Sequence, residues 1–145
     1  MDASEIIDSL GLTPHPEGGW YRETWRHDDG PEGKGHASAI YFLLVAGERS
    51  HWHRVEGAEM WHFYDGAPLE LWMAETSESR SELHVLGTDL IAGERPQILV
   101  PPGWWQAASS RGDYTLVGCT VAPGFEFEGF ELAPEGWAPA PPAGA

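Results

Sequence analysis

The sequence predicts an all-β domain, an antiparallel barrel or sandwich with one short helix at its N-terminus. Segments rich in β-branched and aromatic residues recur at close, regular spacing, and clusters of Gly, Pro and polar residues separate them. Only one segment shows convincing helical spacing of apolar residues, and it lies at the start of the chain. With 145 residues, the chain suits a single domain that buries a substantial core.

The first predicted element is a helix near the N-terminus. Ile6 and Leu10 lie at helical spacing, Asp2 or Ser4 supplies the N-cap, and Gly11 ends the helix because glycine readily adopts the left-handed conformation of a C-cap. This helix opens the domain.

Eight further segments are predicted to form strands. The clearest is an apolar run that ends immediately before the histidine-containing segment, and a polar loop at 28–35 is predicted to precede it. The strands are predicted at 20–25, 39–46, 60–64, 68–74, 81–86, 97–100, 105–109 and 114–121. We assign residues 1–132 to one domain and expect residues 133–145, an Ala- and Pro-rich tail unable to bury a core, to be disordered.

The net charge of the chain disfavours two classes of partner, and its single cysteine indicates a thiol outside any internal disulfide. The net charge of -15, from 23 acidic residues against 8 Lys and Arg, disfavours nucleic acids and anionic membranes, which bind clustered cations. The single Cys119 cannot form an internal disulfide, and its apolar neighbours indicate a buried thiol. Because the sequence shows neither a membrane-spanning apolar run nor the pattern of a signal peptide, we expect a cytoplasmic protein.

A histidine-containing segment provides the main candidate for a functional site. His51 and His53 are separated by one residue, so in a regular strand they share a face and lie about 7 Å apart. Glu56 and Gly57 then suggest a turn, and a hairpin there returns Glu59 toward both histidines. Two imidazoles and one carboxylate can form a metal site that leaves positions open for a substrate or oxygen.

This segment resembles the first motif of the cupin superfamily, which has two histidines one residue apart, a glutamate and a later glycine. The matching positions are His51, His53, Glu59 and Gly66. A second cupin motif, Pro-x-Gly followed by a histidine, resembles residues 101–106, where Gln106 stands at the histidine position. More closely, the chain resembles the cupin-5 family, formerly a domain of unknown function, over residues 10–132, with matching blocks at 15–24, 39–44, 61–64, 68–71 and 117–125.

The resemblance implies a fold and an assembly. The expected fold is the cupin double-stranded β-helix, or jelly roll, with the short N-terminal helix in front of it. We also expect a homodimer, since pairing between subunits is a common way to cover exposed edge strands.

The resemblance also implies a divalent transition metal, which could be Fe, Zn, Ni or Mn. Its ligands would be His51, His53 and Glu59, with Gln106 as a fourth and weaker ligand. The candidate catalytic residues are His53, Glu59 and Tyr41, because Tyr41 has the side-chain parity of the two histidines and could donate a proton. Such an ion could polarise a carbonyl or enolise a sugar-like substrate, whereas iron could activate oxygen.

Aromatic residues close to the motifs suggest a small-molecule pocket in the mouth of the barrel, because sugar rings stack on aromatic faces. The predicted pocket residues are Trp61, Phe63 and Trp105. Strand alternation points His62 away from Glu59, which favours a structural or interface role. Arg22 and Glu23 belong to the block at 15–24 and are interpreted as lid or subunit-contact residues.

Four functions stay open at this point. The first is a metal-dependent isomerase or epimerase that acts on a sugar-like or other small polar metabolite. The second is a metal-free epimerase that uses a histidine base, His53 or His62, and a tyrosine acid, Tyr41 or Tyr64. The third is a non-haem iron oxygenase. The fourth is a non-catalytic module in which the same pocket holds a small-molecule ligand.

Overall fold

The strands form two antiparallel sheets in the computed structural model, which describes residues 1–27 and 36–142. The predicted all-β jelly roll with a short N-terminal helix is confirmed. Helix α1 spans Ala3–Leu10, and the strands are β1 (Thr13–Pro14), β2 (Trp20–His27), β3 (Ala37–Val45), β4 (Ser50–Val55), β5 (Ala58–Gly66), β6 (Leu69–Ala74), β7 (Glu82–Leu86), β8 (Gln97–Val100), β9 (Trp105–Ser110), β10 (Tyr114–Ala122) and β11 (Phe130–Leu132).

The strand order alternates between distant parts of the chain. One sheet has the order β1-β2-β3-β10-β5-β8, and the other has the order β11-β4-β9-β6-β7.

Helix α1 is capped as predicted, because Asp2 Oδ1 accepts a hydrogen bond from the backbone N–H of Glu5 at 2.9 Å and Gly11 has φ of 67°. The helix packs its buried Ile6 with Leu12 and Leu43 beside the six-stranded sheet. A 3₁₀ turn, Phe127–Gly129, precedes β11.

Strands β4 and β5 do not form the predicted hairpin, and that prediction is wrong. Each pairs with strands from other parts of the chain, β4 with β9 and β11, and β5 with β8 and β10. The chain passes from one sheet to the other near Gly57, where a Cβ atom would lie 2.8 Å from the carbonyl oxygen of Pro123. Glu59 therefore approaches His53 from the opposite sheet, across the interior of the barrel.

A β-bulge in β4 changes which of its side chains enter the barrel. Ser50 pairs with Ala108 and His53 pairs with Gln106, so three steps along β4 correspond to two along β9. The extra residue shifts the alternation of side chains. Ser50 and His53 are buried, whereas His51 is only half-buried, so the predicted common face of the two histidines is not maintained.

The interior is filled with apolar side chains along one part of the strands and contains a cavity along the other. On β3, Phe42 belongs to the central hydrophobic cluster, whereas Ser38 and Ile40 line a cavity. On β10, Val117 belongs to the same cluster, and Val121 lines the cavity. The apolar part stabilises the barrel through burial, and the other part remains open for a ligand.

The segment at 133–142 packs against the outside of the five-stranded sheet. Ala133 is buried and donates its backbone N–H to the carbonyl oxygen of Trp52 at 2.9 Å. The ring of Trp137 lies 4.8 Å from that of Trp105, centroid to centroid. The composition of this segment predicts disorder, because Ala, Pro and Gly dominate it. In the structure, Ala133 and Trp137 pack against Trp52 and Trp105. Residues 143–145 of the expected tail and the predicted loop at 28–35 lie outside the described residues.

Candidate functional site

A cavity of about 300 Å³, lined by both polar and apolar side chains, opens beside the central hydrophobic cluster of the barrel. Both sheets, the turn before β2 and the segment after β10 contribute to its wall. Its lining residues are His15, Glu17, Tyr21, Glu23, Arg26, Ser38, Ile40, His53, Val55, Glu59, Cys119, Val121, Phe125, Glu126 and Phe127.

A tight turn before β2 inserts two polar side chains into this cavity. The backbone N–H of His15 donates to the carbonyl oxygen of Gly19 at 2.9 Å, and that of Gly18 donates to the carbonyl oxygen of His15 at 3.0 Å. Gly18 has φ of 107°, and a Cβ atom there would overlap the carbonyl oxygen of Arg49. Glycine is the residue that tolerates both conditions. The turn places Glu17 beside β4, where its carbonyl oxygen accepts the backbone N–H of His51 at 2.7 Å.

The carboxyl group of Glu17 lies between two histidines. Its Oε1 is 3.3 Å from Nδ1 of His15, and its Oε2 is 3.4 Å from Nε2 of His53. The hydroxyl of Ser50 donates a hydrogen bond to the same Oε2. Burial raises the pKa of Glu17 to about 8, although the Ser50 hydrogen bond opposes the shift. At neutral pH, Glu17 is therefore poised to hold a proton.

His53 presents a lone pair toward Glu17. Its Nδ1 lies 2.7 Å from the carbonyl oxygen of His51, which can only accept, so Nδ1 carries the proton in the neutral ring and Nε2 faces Glu17 unprotonated. Burial lowers the pKa of His53, although Glu59 opposes that shift. The contact between His53 and Glu17 has the distance of an ion pair, but burial of both partners favours a neutral pair that shares one proton.

A hydrogen-bonded chain orients Glu59. The indole N–H of Trp61 can only donate, and it donates to Oε1 of Gln106 at 2.9 Å. The amide nitrogen of Gln106 must then face Glu59, and it donates to Oε1 of that carboxyl at 2.8 Å. Burial raises the pKa of Glu59 to about 7 and also raises the pKa of the neighbouring Cys119 thiol. Both polar atoms of Gln106 are occupied, so Gln106 positions Glu59.

Arg26 closes one side of the cavity mouth. Its guanidinium donates to both carboxylate oxygens of Glu23, at 3.0 and 2.8 Å. It also donates to Oε1 of Glu126 at 3.1 Å and to the carbonyl oxygen of Phe125 at 2.6 Å. These bonds tie β2 to the segment that follows β10 and hold the ring of Phe127 beside the opening.

The structure brings together only some of the predicted metal ligands. His53 and Glu59 line the cavity, and Gln106 lies behind Glu59. His51 does not line it, and its Nε2 lies 3.0 Å from the carbonyl oxygen of Pro134.

The other candidates lie away from the cavity. Trp61 and Phe63 pack with the central hydrophobic cluster. Trp105 lies in the cluster beside Trp137, with the guanidinium carbon of Arg54 4.8 Å from its ring centroid. Tyr41 packs with the cluster below α1, and its ring lies 6.4 Å from that of Tyr64.

His62 and the block at 15–24 have distinct positions. His62 Nε2 lies 3.2 Å from the hydroxyl of Thr120, and Nδ1 lies 3.2 Å from the amide nitrogen of Gln97, away from the cavity as alternation indicated. Arg22 donates to the carbonyl oxygen of Leu10 at 3.2 Å, near the end of α1. Glu23 lies at the cavity mouth.

The donor arrangement does not fit the ion expected from the sequence. Within residues 1–27 and 36–142, no group of three or more His, Cys, Asp or Glu side chains is placed to hold one metal ion. His51 faces Pro134, and the amide oxygen of Gln106 is occupied by Trp61. We therefore derive no chemical step through a metal.

Sequence reasoning missed His15 and Glu17 as site residues. Both lie in the block at 15–24 that carries the family resemblance, and a glutamate followed by Gly18 and Gly19 signals a special backbone turn. That pattern indicates a turn, but it does not show that the turn enters the barrel.

Comparisons with known proteins confirm the predicted resemblance. The family Cupin_5, described as "Cupin superfamily (DUF985)", matches residues 4–133. A protein from Shewanella oneidensis, known from a crystal structure, shares 43% sequence identity with this chain, and the two structures superpose with a TM-score of 0.87. The match covers 92% of this chain and 85% of that chain. A hypothetical protein from Leishmania major is 31% identical with a TM-score of 0.83, covering 92% and 88%.

A more distant similarity concerns the fold alone. A variant of oxalate decarboxylase from Bacillus subtilis is 15% identical with a TM-score of 0.63, and the match covers 83% of this chain but 29% of the decarboxylase chain. No protein with a curated description matches this sequence.

Proposed function

The chain belongs to the Cupin_5 family of the cupin superfamily, and we propose that its cavity binds a small, sugar-like polar metabolite and isomerises or epimerises it by proton transfer. One observation carries the proposal. Oε2 of Glu17 and Nε2 of His53 lie 3.4 Å apart in the wall of the cavity, and burial of both side chains favours a neutral pair. A second buried carboxyl, Glu59, lines the same cavity.

The proposed reaction needs one group to remove a proton beside a carbonyl and another to protonate the carbonyl oxygen. Burial raises the pKa of both Glu17 and Glu59, so either carboxyl can hold a proton near neutral pH. We assign the acid to Glu17, which lies beside Nε2 of His53, and the base to Glu59, whose Oε1 accepts from Gln106. His53 accepts and returns the proton of Glu17. Gln106 keeps Oε1 of Glu59 in an accepting role, which leaves the other oxygen for the transferred proton.

The carboxyl groups of the cavity argue against a phosphorylated sugar-like ligand. Glu23 and Glu126 lie at the mouth, and Arg26 is already bonded to both. Phosphate recognition favours Arg and Lys that face the ligand. Tyr21 and Phe127 add aromatic faces on which a sugar ring can stack.

Solvent deuterium incorporation tests this proposal. The protein is incubated in D₂O with a metabolite extract and with a panel of aldoses and ketoses, and mass spectrometry follows each compound. An isomerase that exchanges protons with solvent adds one deuterium to its product. We expect Glu17→Gln and Glu59→Gln to reduce incorporation at least about tenfold, whereas Glu131→Gln, an exposed carboxyl paired with Arg54, retains it.

A non-catalytic binding module is the second candidate. The walls of the cavity include Ile40, Val55, Val121 and Phe125, which suit retention of a ligand without any chemistry. Recovery of an unchanged compound with the protein, together with no deuterium in any compound, would favour this function over the isomerase. The iron oxygenase has less support, because the predicted ligand set is not assembled.

The predicted homodimer and the cytoplasmic location stay predictions. Sedimentation at micromolar concentration tests the first, and a monomer would contradict it. In the part of the chain that the structure describes, no helix has both the length and the apolar character needed to cross a membrane.

A further inference from the structure

The cavity presents hydrogen-bond acceptors to its ligand, namely the carboxyl groups of Glu17 and Glu59 and the imidazole of His53. We propose that this ligand carries an ammonium group, as an amino sugar or a similar small polar amine does, and that the group binds against Glu17 and His53. The inference rests on the proposed function, because it specifies the chemical class of the compound that occupies the same pocket.

The geometry of the two acceptors carries the first step. Nε2 of His53 presents a lone pair, because Nδ1 donates to the carbonyl oxygen of His51. Oε2 of Glu17 lies 3.4 Å away, and the side chains of Glu17 and His53 are 9% and 2% exposed. Two acceptors at this distance need a donor between them. An ammonium group has three donors, so one group can bond to both Oε2 of Glu17 and Nε2 of His53.

The balance of charge carries the second step. Of the described residues that line the cavity, Arg26 is the one Lys or Arg, and its guanidinium is bonded to Glu23, Glu126 and the carbonyl oxygen of Phe125. Within residues 1–27 and 36–142, no Lys or Arg is bonded to Glu17 or Glu59, which line the same cavity. Burial without a cation favours the protonated carboxyl, and a cationic ligand compensates the charge of the ionised form.

The aromatic wall carries the third step. Tyr21, Phe125 and Phe127 line the cavity, and the guanidinium of Arg26 donates to the carbonyl oxygen of Phe125. The faces of aromatic rings attract cations and pack against the C–H groups beside them. The same wall gives no such gain to an anion. Carboxylates and aromatic rings together therefore favour an ammonium compound over a neutral or an acidic one of the same size.

Matched ligand pairs test the inference on the wild-type protein. Isothermal titration calorimetry compares D-glucosamine with D-glucose and with N-acetyl-D-glucosamine, and compares ethanolamine with ethylene glycol. We expect each amine to bind at least about tenfold more tightly than its neutral partner, because hydrogen bonds that involve a charged group are stronger than those between neutral groups. Thermal shift measurements with the same pairs provide a second readout.

Variants then identify the groups that recognise the amine. Glu17→Gln keeps the shape of the side chain, but it replaces one acceptor oxygen with an amide donor and cannot ionise. It should therefore reduce the preference for the amine at least about tenfold. Glu59→Gln is a second variant, and Glu131→Gln is the control because Glu131 lies on the surface beside Arg54. Circular dichroism confirms that each variant is folded before its binding is compared.

Each outcome decides between the inference and its alternatives. If the amines bind no more tightly than their neutral partners, the ammonium inference is wrong, and deuterium incorporation into a neutral sugar would still support the isomerase. If the amines bind tightly and no compound incorporates deuterium, the inference stands and the proposed reaction is wrong. An amine preference that survives both Glu→Gln variants would also overturn the assigned site.

Discussion

Nε2 of His53 lies 3.4 Å from Oε2 of Glu17, although the two residues come from different parts of the fold. His53 belongs to β4 of the five-stranded sheet, and Glu17 belongs to the glycine-rich turn before β2 of the six-stranded sheet. Their contact places a buried carboxyl group beside the unprotonated ring nitrogen of a neutral imidazole in the wall of the cavity. Four predictions test this arrangement and the contacts that support it.

Stability should fall as pH rises from about 4.5 to about 8, the interval between the pKa values of Glu17 in the unfolded and the folded protein. The folded protein holds a proton on this carboxyl up to about pH 8, whereas the unfolded chain releases it near the ordinary value of 4.5. Because the folded state binds more protons in this window, the free energy of unfolding decreases as pH rises. Glu59, with a pKa raised to about 7, acts in the same direction.

Thermal melts followed by circular dichroism measure this dependence. In Glu17→Gln, we expect the free energy of unfolding to decrease much less with rising pH than in the wild type. Each unit by which the pKa of Glu17 is raised contributes about 1.4 kcal/mol at most to that decrease. His15 acts in the opposite direction, because its pKa is lowered to about 4 by burial and stability is lost as pH falls from 6.5 toward that value. If the stability of Glu17→Gln depends on pH as steeply as that of the wild type, Glu17 is not the group responsible for the decrease.

His51 and His53 should respond differently to substitution. His53→Ala removes the partner of Glu17 and should abolish deuterium incorporation. His51→Ala removes one hydrogen-bond contact, with the carbonyl oxygen of Pro134, and should cost about 1 kcal/mol of stability or less while incorporation persists.

Elemental analysis of both histidine variants, purified without an affinity tag, adds a control. A metal held by the set predicted from the sequence would be lost in His51→Ala as well as in His53→Ala. Equal loss of metal or of activity in the two variants would therefore favour the predicted ligand set over the arrangement described above.

Gly18→Ala should be much more damaging than Gly47→Ala. Both glycines have positive φ, of 107° and 83°, so both substitutions introduce backbone strain of about 1–2 kcal/mol. Only at Gly18 would the new Cβ atom meet backbone, the carbonyl oxygen of Arg49, because nothing lies within 4 Å of the corresponding position at Gly47. Urea unfolding should show an additional loss of about 2 kcal/mol or more for Gly18→Ala. Equal losses would show that the turn accommodates the added atom.

Removal of residues 133–145 should destabilise the barrel. Ala133 and Trp137 cover Trp52 and Trp105, and their loss exposes apolar surface worth about 2 kcal/mol or more. Thermal melts should show the lower stability, and tryptophan emission should shift to longer wavelength. An unchanged melting temperature and spectrum would instead support the disorder expected from the sequence.

Strand positions followed from the sequence because they depend on local composition. The apolar run predicted at 39–46 corresponds to β3, Ala37–Val45, and the segment predicted at 114–121 corresponds to β10, Tyr114–Ala122. The cap at Asp2 and the helix end at Gly11 also depend on neighbours in the chain. The sequence predicts that His53 and Glu59 lie close together, and both line the cavity. The reason given for that prediction, a hairpin of β4 and β5, is wrong, because the two strands belong to different sheets.

The sequence by itself determined the helix, the order of the strands along the chain and the resemblance to the cupin family, because side-chain periodicity, turn residues and motifs are local properties. The tertiary structure decided which residues meet in the cavity. The bulge between Ser50 and His53 exists only in the pairing of β4 with β9, and it separates His51 from His53. Glu17 enters the barrel because its turn docks on β4. Such contacts depend on partners far away in the chain, and local periodicity carries no information about them.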